Sequence, residues 1–118
     1  MLSNTLVAAV GLIHVYIVVL EMLLWEKPAG LRAFDMSREF ALQSWRLAAN
    51  QGLYNGFIVA GLVCGLTLPR DVGHAFKLFF LVCVVVAGIF GALTASRKIL
   101  FVQALPAAIA LAALLAGK

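Results

Sequence analysis

Four stretches of the chain are apolar almost without interruption: residues 4–25, 51–68, 75–93 and 99–116. At about 1.5 Å of rise per helical residue, each is long enough, or nearly so, to cross the roughly 30 Å hydrocarbon core of a bilayer. Backbone polar groups cannot be left open to hydrocarbon, so all four are predicted as helices. Residues 36–49 carry a different pattern. Met36, Phe40, Ala41, Leu47 and Ala48 recur at helical spacing, opposed by Arg38, Glu39, Gln43 and Arg46. That predicts a short amphipathic helix in the membrane interface, capped by Asp35 or Ser37 and anchored by Trp45. Upstream, Trp25 closes the first span, and Pro28 with Gly30 breaks the helix over residues 26–30. Residues 68–74 read as a short turn with a solvated His74. The expected fold is an all-α membrane protein: one integral domain over 1–118, a four-transmembrane-helix bundle with an amphipathic helix between spans 1 and 2.

Small residues predict how these helices meet. Gly52, Gly56 and Ala60 form one row, Gly61 and Gly65 another, and Ala87 with Gly91 beside Gly88 with Ala92 a third, each at the spacing that lets helices approach closely. The tight connection at 94–98 makes the third and fourth spans antiparallel neighbours. Pro106 cannot donate to the carbonyl of Val102, which loosens the fourth helix one turn from Gln103.

Composition rules out a soluble domain, with 64% hydrophobic and 12% charged residues in 118. The net charge of +4 then reads as membrane topology rather than nucleic-acid binding. Lys27, Arg32, Arg38, Arg46, Arg97 and Lys98 fall in the first and third connections and account for six of the nine Lys and Arg. By the positive-inside rule those connections are cytoplasmic and both termini lie outside, in the cell (inner or plasma) membrane. The first apolar run lacks a basic n-region and is too long for a signal peptide. Cys64 and Cys83 sit in different spans without CxxC spacing, so no metal site or redox pair is expected. No cofactor is expected either, since a haem calls for better-placed axial ligands than His14.

The candidate chemistry gathers at one end. Residues 50–56 read Asn-Gln-Gly-Leu-Tyr-Asn-Gly, and at helical spacing Gln51, Tyr54, Asn55 and Ile58 share a face. His14 and Glu21, seven residues apart in the first span, lie on nearly one face about 10 Å apart. Under the expected topology Glu21, Asn50, Gln51, Tyr54, Asn55, Thr94 and Gln103 reach the cytoplasmic level, with His14 deeper. Ionisable groups inside a span mark functional sites by default. A polar ligand-binding pocket open to the cytoplasmic side, with His14 as its floor, is therefore expected. The competing reading makes the amides structural glue between helices, with Glu21 reaching water or pairing with Arg97.

These residues also carry a resemblance. His14 with Tyr16, Glu-Met-Leu-Leu-Trp at 21–25, the 50–56 block, Ala87 to Ala92 with Thr94, and Gln103 before Leu105-Pro106 together resemble the small integral membrane proteins grouped as domain of unknown function 1304, found in bacteria and fungi. The resemblance covers nearly the whole chain. It implies a four-helix membrane protein and no particular activity.

Three functions compete at this stage. The first is binding or transport of a small amphipathic molecule or lipid, with protonation of Glu21 as the coupling device and a homodimer to complete a path. The second is a membrane-embedded acid–base enzyme, an isomerase or hydratase acting on a lipid-like substrate. There Glu21, His14 and Tyr54 transfer protons, and Gln51, Asn55 and Gln103 orient an oxygen. The third is a structural or assembly subunit of a membrane complex, packing through the alanine-rich fourth span.

Overall fold

The computed structural model describes residues 2–118, and their regular structure is helical throughout. Helix α1 is Leu2–Met22, α2 is Pro28–Ala33, α3 is Arg38–Thr67 and α4 is Arg70–Thr94. A five-residue π turn, Leu100–Ala104, leads into α5, Leu105–Leu115.

Each long helix buries one stripe. In α1 the enclosed positions are Ser3, Val7, Val10, His14, Ile17, Leu20 and Glu21, at steps of three and four until the adjacent last pair. That is the spacing of residues stacked on one face of an α-helix. His14 and Glu21 thus lie on the same buried face. In α3 the stripe runs through Ala41, Ala48, Gly52, Asn55 and Leu62 without a change of register.

The continuity of α3 differs from expectation. The amphipathic stretch and the second span are one 30-residue helix, not two elements. The composition change near residue 50 looks like a boundary, yet no proline interrupts the backbone there. A single buried stripe then holds both parts in one helix. At about 1.5 Å per residue α3 is about 45 Å long, more than a bilayer core needs. The expected apolar face of its first half is also corrected. Ala41 and Ala48 are buried, but Phe40 and Leu47 are exposed, because the small residues are the ones the neighbouring segment can approach.

Ser37 starts α3. Its Oγ accepts the backbone N–H of Phe40 at 3.1 Å, satisfying one donor that the first helical turn leaves free. Ser37→Ala is expected to lower helix stability by about 0.5–2 kcal/mol. Faster hydrogen exchange at the Phe40 amide would register the lost cap; unchanged exchange there would count against it.

Two smaller expectations change. Pro28 does not merely end α1: it opens α2 at the first helical position, where its missing N–H is no loss. His74 belongs to α4, exposed on its first turns, and the connection between α3 and α4 shrinks to Leu68 and Pro69.

The chain divides into two compact units, His14–Phe57 and the start of α1 together with Ile58–Lys118. The second has a core in which four helices take part: Val7 and Val10 of α1, Leu62 of α3, Leu81 and Val84 of α4, and Ala107, Ala110 and Leu114 of α5. Near its ends the Ser3 hydroxyl donates to the Lys118 carbonyl at 3.3 Å, and Lys77 Nζ donates to Asn4 Oδ1 at 2.7 Å. Helix α4 packs along the π turn and α5, closest where Gly88 meets Ala104. The π turn is where the sequence predicts loosening. The N–H of Leu105 donates to Leu100, five residues back, one step before Pro106, which has no N–H to give.

Helices α1, α3 and α4 are long and apolar enough to cross a membrane. The fourth apolar segment, Leu100–Leu115, is shorter. It covers about 24 Å at helical rise.

Candidate functional site

The unit His14–Phe57 contains the end of α1, the turn after it, α2 and the first two-thirds of α3. Glu21 stands one residue before the end of α1 and is 92% enclosed, with a relative exposure of 8%. Asn55 on α3 is 7% exposed, and its Nδ2 donates to Glu21 Oε1 at 2.6 Å. The same nitrogen lies 3.3 Å from the Gln51 carbonyl of its own helix, which fixes the direction of the amide. The approach depends on Gly52: any side chain there would meet the Met22 side chain, and its Cβ would stand 3.2 Å from the Cβ of Glu21.

Glu21 Oε2 has a different environment. Among the described residues Asn55 is the partner of the carboxylate, through Oε1 alone. Among the described residues no fully enclosed side-chain nitrogen or oxygen lacks a partner, so Oε2 is not sealed in. Glu21 lines a cleft of about 160 Å³ together with Met22, Leu23, Trp25, Glu26, Lys27 and Trp45. A buried carboxylate with one oxygen hydrogen-bonded keeps the other as an acceptor for a hydrogen bond or a positive charge.

The walls are held in place by aromatic packing. Trp25 Nε1 donates to Ser44 Oγ at 3.1 Å, and that hydroxyl donates to the Phe40 carbonyl at 2.6 Å. The Trp25 ring leans on Phe34 with centroids 4.8 Å apart. The Arg46 guanidinium sits 5.2 Å above the centre of the Trp45 ring. Behind the wall, Gly30 of α2 lies against the backbone carbonyls of Leu24 and Trp25. That contact folds the turn back on itself.

The remaining expected site residues are placed as follows. His14 is buried in the same unit, with 1% exposure. Asn50, Gln51 and Tyr54 are exposed, and the Tyr54 ring packs edge-on against Phe57 at 5.8 Å. The stripe through Ala48, Gly52 and Asn55 explains the divergence: Tyr54 stands about 200° around the helix from Gly52. Thr94 and Gln103 belong to the other unit. Thr94 is exposed and its hydroxyl donates to the Phe90 carbonyl at 2.7 Å, while Gln103 lies half-buried within the π turn. Sequence reasoning missed the cleft walls. Trp25 and Trp45 read as interface anchors, and Glu26 and Lys27 as loop residues. The available signal was Trp-Glu-Lys directly after Glu21-Met22-Leu23-Leu24.

Among the described residues no three His, Cys, Asp or Glu side chains gather as a metal site requires, and Cys64 and Cys83 are free thiols.

Comparison with known proteins places this framework in a family. The family model described as "Protein of unknown function (DUF1304)" matches residues 8–115, a stretch that takes in α3, α4, most of α1 and the whole cleft. The chain belongs to the DUF1304 family. A relative from Lactococcus lactis subsp. lactis (strain IL1403), the uncharacterised protein YpaA, is 31% identical over 96 residues, covering 80% of each chain. No solved structure matches this DUF1304 protein.

Proposed function

We propose that this DUF1304 protein binds, and as a homodimer moves, a small amphipathic molecule at the interfacial end of α1. The observation that carries the reading is Glu21: a carboxylate inside a largely apolar helix, steadied by Asn55 through one oxygen and placed in the lining of a cleft. A carboxylate kept only for structure would be expected to use both oxygens within the protein.

The setting supports an amphiphile. The cleft has a polar floor and indole walls, the pairing found where one end of a ligand is wet and the other greasy. Outward-facing apolar residues such as Leu12, Leu93 and Phe101 suit a chain embedded in lipid. The meeting of Ser3 with Lys118 supports an even number of crossings, hence four, with α5 and the π turn as the last. The basic residues of the first and third connections then favour a cytoplasmic position for the cleft in the cell membrane.

Native mass spectrometry of the protein released from its own membrane tests the reading. Wild type is expected to carry a small-molecule adduct that Glu21→Leu loses while remaining folded. Bare protein in both cases, or the same adduct in both, would remove the proposal.

A further inference from the structure

We infer that the amphiphile this cleft takes is an organic cation, an alkylammonium whose head enters between Glu21 and the indoles of Trp25 and Trp45. The inference rests on the binding reading above and adds the charge and class of the ligand.

The donors and acceptors around the cleft set the sign. Glu21 is more than nine-tenths buried and lines the opening. Asn55 Nδ2 is used on Glu21 Oε1 and on the Gln51 carbonyl. Among the lining side chains Glu21 and Glu26 accept, while Lys27 and the Trp45 indole N–H donate. Glu26, half-buried, adds a second carboxylate to the lining. The one basic residue of the lining, Lys27, is exposed. An anionic head would share the lining with two carboxylates, whereas a cationic head offsets the charge of either when it is ionised.

The aromatic walls point the same way. The face of an indole attracts a positive charge more strongly than that of any other side chain. Trp25 has spent its N–H on Ser44, so what it presents to the cleft is ring. Trp45 already holds one cation, the Arg46 guanidinium, at 5.2 Å. Two carboxylates and two indoles in one lining suit an ammonium, including a fully alkylated one that has no hydrogen to donate. The space of about 160 Å³ accommodates a head group and the first carbons of a chain, with the rest in lipid.

Trp25 and Trp45 are the two tryptophans of the protein, so its intrinsic fluorescence reports on this cleft. The full chain is placed in nanodiscs of phosphatidylcholine and titrated with octyl nitroxides bearing a trimethylammonium, a hydroxyl or a sulfonate head, with empty discs as the baseline for partitioning. The ammonium probe is expected to quench saturably, with half-saturation about tenfold below that of the sulfonate. Glu21→Gln, which keeps size and hydrogen bonding, is expected to bring the three probes within about twofold of one another. Glu26→Gln lies outside α1 and supplies a second variant; it is expected to weaken the ammonium probe alone. Equal saturation by all three probes in wild type would overturn the cation while leaving amphiphile binding in place. An ammonium preference surviving both variants would overturn it as well. If no probe saturates, the binding reading itself falls, and the cation with it.

Discussion

Asn55→Leu is expected to destabilise the protein by about 1–3 kcal/mol, the consequence of stripping a buried acceptor of its donor. Glu21 is buried, and among the described residues its hydrogen-bond partner is Asn55. Leucine at 55 fills a similar volume, so packing changes little and the loss isolates the polar term. Reversible unfolding in mixed micelles, followed by helicity, measures it. The double variant with Glu21→Leu sharpens the test. Replacing both partners by apolar groups removes the stranded carboxylate, so most of the stability should return. The coupling expected from such a cycle in a membrane protein is about 0.6–1.7 kcal/mol. A single variant within about 0.5 kcal/mol of wild type would mean that water already serves both oxygens of Glu21.

The second large effect concerns glycine, and it depends on position. A Cβ at Gly30 would stand 2.8 Å from the Trp25 carbonyl oxygen and closer still to that of Leu24. At Gly88 it would be 2.7 Å from the backbone nitrogen of Ala104 and 2.9 Å from its Cα. Backbone cannot step aside as a side chain does. Gly30→Ala and Gly88→Ala are each expected to cost about 1–3 kcal/mol through overpacking. Gly11 and Gly56 have nothing within 4 Å of that position. Alanine at either is expected to be neutral or to stabilise by up to about 1 kcal/mol, since it restricts the unfolded chain and suits a helix better. Four parallel unfolding curves decide the matter. Identical midpoints for Gly30→Ala and Gly56→Ala would show that the turn from Leu24 to Gly30 is looser than described.

How much of this could be read in advance differs from element to element. The face shared by His14 and Glu21 was legible because the seven-residue spacing on a helix admits no other arrangement. The softening before Pro106 was legible for a similar reason: a missing N–H acts wherever the helix lies. Helix α3 misled because its polarity changes at residue 50 while its packing does not. Local composition carries the first, and contact with segments distant in sequence carries the second. The site divides along the same line. Asn55 and Glu21 stood out as polar groups in apolar runs, whereas Tyr54 and Gln51 stood out equally and turned out exposed. Which side of α3 is covered depends on small residues, Ala48 and Gly52, that carry no chemistry of their own. The cleft walls were hidden because a tryptophan near a span end has a sufficient explanation as an interface anchor. Only the return of α3 beside the α1 terminus brings Trp45 to the same opening as Trp25.

The π turn has a consequence for chain length. It holds one residue more than an α-helix needs to cover the same axial distance. Deleting a residue inside α1, α3 or α4 would rotate everything downstream by about 100° and carry a buried stripe out of its core. Deleting one within Leu100–Ala104 would convert the wide turn to an ordinary one and leave α5 facing as before. Relatives shorter or longer by a single residue are therefore expected to differ here, where the fold absorbs the change.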